Sequence, residues 1–424
     1  MNERFAPSGV LTTVATACRA CAAPLETLVL DLSVTPLANS YLTERDLARP
    51  EARYPLRVRV CERCLLVQLD ELADAKAIFA EDYAYFSSFS DSWLRHAKEY
   101  VAMVVDRFGL GAHSQVLEVA SNDGYLLRNF VERGIPALGV EPAGNVAAAA
   151  RAAGVETRVM FFNTASAAQL LREGVAADLV IGNNVLAHVP ELNDFIRALA
   201  MILKPQGVIT LEFPHLGRLL SECQFDTIYH EHFSYFSLLA VEQVFAAHDL
   251  TVFDVEELPT HGGSLRLFVR HADDDSKPVD GRVAALRARE RAAGLANLST
   301  YGQFGQAVER CRENLRRFLL TAKQEGKRVV AYGAPAKGNT LLNYCGIGPD
   351  LVAFTVDRNP HKQQCYLPGT RIPIRDPEAL RDARPDYLLL LPWNLRDEIM
   401  TQTSFIRSWG GQFVVPIPEL SVYA

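Results

Sequence analysis

The stretch Val116-Leu117-Glu118-Val119-Ala120-Ser121-Asn122-Asp123-Gly124-Tyr125-Leu126 constrains the fold of this chain more than any other. A short, largely apolar strand runs into a small-residue turn, and the turn runs into a helix. Ser121, Asn122, Asp123 and Gly124 suit a sharp reversal, and Asn or Asp at such a place caps the helix that follows. A second strand, Ala137-Leu138-Gly139-Val140, then ends in Glu141-Pro142. An acid at the end of the second strand of an α/β sheet is placed to accept hydrogen bonds from a ribose diol. The dinucleotide fingerprint G-x-G-x-x-G is missing, so this is no pyrophosphate cradle. Two readings fit: a site for an adenosine-bearing cofactor, or a strand–turn–helix that holds nothing.

The pattern downstream favours the first. Residues 146–153, 165–172 and 192–203 have helical spacing, and residues 156–161, 177–182 and 208–213 read as strands. Such alternation predicts a parallel, doubly wound sheet. Residues 251–257 and 264–269 close it as an antiparallel pair around His261-Gly262-Gly263. An acid followed by a small-residue turn resembles the E/D-x-G-x-G loop of class I S-adenosylmethionine (SAM) methyltransferases, with Ala120 standing where Gly is usual. On that reading Glu118, Ala120 to Leu126, Glu141 and Pro142 surround the cofactor, joined by Asn183 and Asn184 after the fourth strand.

Three polar clusters fall at strand ends, where ligands bind in open α/β sheets. They are Asn183-Asn184-Val-Leu-Ala-His188, Glu212-Phe-Pro-His215, and residues 224–236, which are dense in titratable groups. His230 and His232 stand at i, i+2 and share a face only on a strand. A metal pair, satisfied core histidines and acid/base catalysis are all open to them. With no third ligand in view, imidazoles that titrate near neutral pH fit acid/base work best. Tyr229 is then placed to donate to an oxyanion and Glu231 to orient a partner.

Ahead of this region, Cys18-x-x-Cys21 and Cys61-x-x-Cys64 form two knuckles able to present four thiolates to Zn²⁺. Four protein ligands leave no open position, so the metal is structural. Residues 1–74 bury little on their own and need it. The other four cysteines are scattered, unlike a disulfide framework. Residues 75–272 make the cofactor domain and residues 273–424 a third. In the third, long helices over 281–297 and 301–325 precede Tyr332-Gly333-Ala334-Pro335-Ala336-Lys337-Gly338-Asn339, again strand, turn and helix. Further strands are predicted over 351–357 and 386–391. Gly333, Ala334, Lys337 and Asn339 suit a phosphate at a helix start, and Asp357, Lys362, Trp393 and Asn394 end later strands on the same side. An unused turn in a packing or dimerisation domain is the plainer alternative.

A net charge of −7 offers no basic surface for nucleic acid. No apolar run approaches the ~20 residues of a membrane span. Residues 1–17 lack the pattern of a secretion signal, which places the chain in the cytoplasm.

Together, Thr35-Pro36-Leu37-Ala38-Asn39-Ser40, Asn122-Asp123-Gly124, Tyr229-x-Glu231-His232-Phe233, His261-Gly262-Gly263 and Tyr332-Gly-Ala-x-Ala-Lys-Gly338 resemble the sugar C-methyltransferases of deoxysugar biosynthesis, over nearly the whole chain. The resemblance implies an α/β protein: a class I SAM methyltransferase Rossmann-like domain between an N-terminal zinc-binding domain and a second Rossmann-like domain that binds a nucleotide-diphosphate sugar. It implies SAM and structural Zn²⁺ as cofactors, and a monomer or homodimer. The reaction it implies is base-catalysed enolate formation beside a 4-keto group, then methyl transfer to the adjacent carbon. By motif the base maps onto His232, the enolate donor onto Tyr229 and its support onto Glu231. A further active-site histidine maps onto His188, and an N-terminal tyrosine onto Tyr83 or Tyr85. An O- or N-methyltransferase on the same scaffold is the alternative enzyme. A nucleotide-sugar-binding protein with a degenerate SAM loop is the alternative without chemistry.

Overall fold

Four sheets organise residues 3–5, 11–73, 86–89 and 91–424, the residues described by the computed structural model. In the N-terminal segment, β1 (Glu3–Phe5), β2 (Leu11–Val14) and β6 (Glu71–Ala73) pair antiparallel, as do β3 (Thr27–Thr35), β4 (Tyr54–Val60) and β5 (Val67–Leu69). β4 alternates, with Tyr54, Leu56, Val58 and Val60 buried and the residues between them half-exposed.

The middle sheet contains β7 (Val116–Val119), β8 (Ala137–Val140), β9 (Thr157–Arg158), β10 (Ala177–Asn183), β11 (Leu203–Pro214), β13 (Leu250–Leu258) and β14 (Ser264–His271). Their order is β13-β14-β11-β10-β7-β8-β9, parallel except for β14, which runs antiparallel between β11 and β13. Strand order reverses beside β7, so the loops after β7 and β10 diverge and leave a crevice. β9 is shorter than the 156–161 expected, because as an edge strand it pairs only with β8, through Thr157 and Arg158. The short β12 (Ser234–Tyr235) leaves this sheet and pairs antiparallel with β5 of the N-terminal segment.

A third body is built on β15 (Val329–Tyr332), β16 (Thr355–Val356), β17 (Ile374–Arg375), β18 (Tyr387–Leu390), β19 (Gln412–Val415) and β20 (Ser421–Tyr423). The order β17-β16-β15-β18-β19-β20 is parallel up to the antiparallel β20, with its own switch point beside β15. Residues 348–352 form a turn, with Leu351 and Val352 N–H groups on the Gly348 carbonyl, and this shortens the strand expected over 351–357. The two long helices part company. Gly281–Ala292, capped by Asp280, lies on β13, whereas Leu298–Gln324, capped by Asn297, lies along β3 and the helix Ala336–Cys345. Tyr301, Phe304, Val308, Leu315 and Leu319 of the longer helix join Leu30, Leu32 and Val58 to the C-terminal sheet in one apolar core. Among the described residues no helix is long and apolar enough to cross a membrane.

Candidate active site

The two switch points open into one cavity of about 820 Å³. The middle sheet contributes Ala120 and Asn122 after β7, Glu141 and Pro142 after β8, and Asn183, Asn184 and His188 after β10. Across the space stand Pro335, Lys337, Asn359, Lys362 and Asn394. Tyr229, Glu231 and His232 form a wall between the two sides, and Asn39 enters from the N-terminal segment.

The loop after β7 needs left-handed backbone at alternate residues: φ is +55° at Ala120, +50° at Asn122 and +77° at Gly124. Residues 120 and 122 occupy the two glycine positions of E/D-x-G-x-G. Asn tolerates this region, but Ala resists it, so the motif's geometry survives without its glycines. Glu141 is buried, and its two carboxylate oxygens accept from the Asn122 N–H at 3.0 Å and the Ala143 N–H at 2.9 Å. Each oxygen keeps a lone pair for a further donor.

Of the other residues expected here, Tyr125 lines the cavity, while Glu118, Ser121, Asp123, Gly124 and Leu126 back the loop. Burial holds the Glu118 carboxyl well above the usual range. Ser121 fills the space that Gly139 leaves, where a Cβ would stand 2.4 Å from Ser121 Oγ. Gly124 packs against Val155 and Ala150. Asn122 Oδ1 accepts from the Ser87 N–H at 2.8 Å, and Asp123 Oδ2 from the Ser88 N–H at 3.1 Å. The loop thereby fixes residues 86–88, and Phe86 lines the cavity and stacks on His361 at 6.1 Å. Tyr83 and Tyr85 lie outside the described residues.

His232 has a defined tautomer. Its Nδ1 lies 2.8 Å from the Thr227 carbonyl, which only accepts, so Nδ1 carries the proton. Nε2 is left with a lone pair, and the Tyr229 hydroxyl donates to it at 2.7 Å. Burial, then the His188 ring 4.7 Å away, keeps the imidazole well below its usual range and neutral at pH 7. Burial lowers His188 itself to about 4. Glu231 accepts from Asn39 Nδ2 at 2.7 Å, and burial raises its carboxyl to about 7.

On the far side, Lys337 Nζ donates to Asn394 Oδ1 and lies 4.5 Å over the Trp393 ring. Trp393 Nε1 donates to the buried Asp226 at 2.7 Å. Lys362 Nζ lies 2.9 Å from the Ala334 carbonyl and 5.0 Å over the Tyr41 ring. Gly333, Ala334, Asn339, Asp357 and Trp393 brace this side and do not line the cavity. At Gly333, with φ +85°, a Cβ would strike Pro392. Ala334 N–H donates to Asp357 at 2.7 Å, and Asn339 Nδ2 donates to the Ala38 carbonyl at 2.6 Å.

Several lining residues were not read from the sequence as part of the site. Asn39 is an uncharged residue whose partner lies 192 positions away. Met160 and Phe161 read as strand, and Phe162 follows them. His96, in the helix Asp91–Phe108, hydrogen-bonds Glu212 at 2.9 Å, and Glu212 also binds Arg266 and Thr260 and is held down at about 2 against its burial.

Outside the cavity lining, Cys18, Cys21, Cys61 and Cys64 bring their Sγ atoms within 4.8 Å of one another, with two pairs at 3.5 Å. A tetrahedron with Zn–S bonds of ~2.3 Å has edges of about 3.8 Å, so the set fits that ion. Both knuckles turn alike: Ala22 and Leu65 follow the second cysteine with φ +59° and +61°, and donate to the Cys18 and Cys61 carbonyls at 2.9 Å.

Residues 18–79 match the family described as "Putative zinc binding domain", residues 93–255 the family "Methyltransferase domain", and residues 259–418 the family "C-methyltransferase C-terminal domain". C-methyltransferase NovU of Streptomyces niveus is 38% identical over 402 residues, 95% of this chain and 95% of that one. The chain belongs to the C-methyltransferase family. This C-methyltransferase is SAM-dependent, and its four-cysteine site is a zinc site. A ubiquinone biosynthesis O-methyltransferase of Bartonella bacilliformis is 26% identical over 126 residues, 28% of the C-methyltransferase and 51% of that protein. The SAM-bound magnesium protoporphyrin IX methyltransferase of Synechocystis PCC 6803 covers 46% of the C-methyltransferase and 88% of its own chain, at 16% identity and a TM-score of 0.34.

Proposed function

We propose that this C-methyltransferase methylates the carbon beside the 4-keto group of a nucleotide-linked deoxysugar in the cytoplasm. One observation carries the reading: a neutral imidazole with its free lone pair paired to a tyrosine hydroxyl, inside a cavity between two nucleotide-type switch points.

SAM fits the β7 side. Glu141 follows β8 where a ribose diol would reach it, and Asn183 Oδ1 and Asn184 Oδ1 are buried acceptors that find no partner among the described residues, on a wall of the cavity. Ala120, Asn122 and Pro142 complete that wall. When bound, SAM supplies an electrophilic methyl on a sulfonium. The chain has to supply a carbanion.

A proton beside a ketone is weakly acidic, so its removal needs a base and a donor for the enolate oxygen. His232 Nε2 takes the proton, and the Thr227 carbonyl steadies the imidazolium through Nδ1. Tyr229, released from Nε2 when the substrate enters, turns its hydroxyl to the enolate oxygen. Glu231, held by Asn39, braces the sugar from beside them, and His188 packs the base in place. Lys337 and Lys362, backed by the turn of Gly333, Ala334 and Asn339, offer cationic heads to a diphosphate.

The test is an incubation in deuterated water with a nucleoside diphosphate 4-keto-6-deoxyhexose. The wild type is expected to place deuterium on the carbon beside the ketone. His232→Ala should lose both this exchange and methyl transfer, by about 10²-fold or more, and still bind SAM by calorimetry. A variant with the wild-type rate removes His232 as base. Methyl transfer without exchange, to oxygen or nitrogen, overturns the reading.

A further inference from the structure

The zinc knuckle and the strand that follows His232 are joined by a guanidinium. Arg19 lies between Cys18 and Cys21. Its Nη1 donates to the carbonyl of Phe233, the residue after His232, and to Ser234 Oγ at 3.2 Å. Its Nη2 donates to the Leu69 carbonyl at 2.9 Å, and the guanidinium lies 5.9 Å over the Phe233 ring. Its side chain has carbonyls and a hydroxyl as hydrogen-bond partners and a ring beneath it, and the charge of Glu191 acts on it from farther off.

Arg19 is itself held at both ends of its backbone. Its N–H donates to Gln68 Oε1 at 3.0 Å, and Gln68 Nε2 donates to Cys18 Sγ at 3.2 Å. Its carbonyl accepts from Asn193 Nδ2 at 3.1 Å. The rest of the N-terminal segment grips the same stretch. His230 Nε2 donates to the Tyr54 and Pro55 carbonyls at 3.3 and 3.2 Å, Asn39 holds Glu231, and Ser234 and Tyr235 pair with Gln68 and Val67. These contacts fall on the neighbours of His232 and leave its ring to the cavity.

We propose that Arg19 is a positioning residue for His232. The four thiolates fix the knuckle, the knuckle fixes Arg19, and Arg19 fixes the Phe233 carbonyl and so the peptide from which the imidazole is aimed. A planar fork is suited to this, because it binds several acceptors at once with little freedom to lose. A base displaced by ~1 Å loses rate on the order of 10²-fold while the binding sites stay intact. The zinc centre thus reaches the chemistry through geometry, with no ligand position of its own in the cavity. The inference rests on His232 being the base.

The test uses the full chain with Arg19→Lys and Arg19→Met. Both are expected to keep full zinc content and a SAM affinity within about twofold of wild type. With the same 4-keto sugar nucleotide, kcat should fall by about tenfold or more while KM moves less than about threefold, and Met should be worse than Lys. Wild-type kcat in a zinc-replete variant overturns the proposal. So does a fall in kcat matched by equal losses of zinc and SAM binding, which would make Arg19 a folding residue. Hydrogen exchange of the wild type decides the matter even if neither variant folds. Stripping zinc with a chelator should speed exchange over residues 229–235 together with residues 18–25, and unchanged protection at 229–235 sinks the coupling. A failed base assignment looks different: His232→Ala keeps its rate, while the exchange coupling persists.

Discussion

At Lys337, burial lowers the ammonium to about 8, while the charge of Asp226 pulls the other way. The free enzyme therefore holds a full positive charge here only below about pH 8. If Lys337 holds the diphosphate as proposed, KM for the sugar nucleotide is expected to climb as pH rises through 8, and Lys337→Met should raise KM and flatten that climb; KM measured from pH 6.5 to 9.5 checks both. Glu231 has the opposite problem. Burial raises its carboxyl from 4.5 to about 7, so between those values the unfolded chain gives up a proton that the folded chain keeps. Its contribution to stability is whole below about pH 4.5 and is lost as pH rises through 7, a change of up to about 3 kcal/mol. Glu231→Gln should flatten Tm against pH over that window in a thermal melt. Both residues were legible in the sequence because charge in an apolar setting stands out. Asn39, which holds Glu231, was legible only as part of the motif over residues 35–40: an amide in an uncharged loop gives no sign of a partner 192 residues away.

The loop after β7 shows what a motif encodes at the level of an element. Its requirement is backbone hand at residues 120, 122 and 124, not glycine as such. A left-handed alanine costs about 1 kcal/mol, so Ala120→Gly should raise unfolding free energy by about that much in a urea titration, with SAM affinity nearly unchanged. Helical spacing made helices legible, such as Thr164–Arg172 and Leu192–Ile202, because burial on one face writes a period into the chain. Strand ends were less so. β9 and β16 are shorter than their apolar runs, since the length of a strand is fixed by its neighbour across the ladder. β12 could not be read at all: its partner lies in a segment whose pairing depends on the zinc knuckles.

For the whole molecule, the N-terminal segment shares one core with the C-terminal body and lends Asn39 to a cavity otherwise made by the other two. Removing zinc with a chelator is expected to lower Tm and stop turnover, while SAM affinity by calorimetry falls less than about threefold, because the wall proposed to hold SAM is built from residues 120–184. Returning zinc should restore both. The pairing of β5 with β12 also bears on how the chain is made. On the ribosome, Val67–Leu69 emerges long before Ser234 and Tyr235, so the outer side of that strand stays bare through most of translation. A bare edge recruits other strands, and a nascent chain released before that point would carry it permanently. The histidine proposed as the base thus arrives just ahead of the two residues that shut this edge.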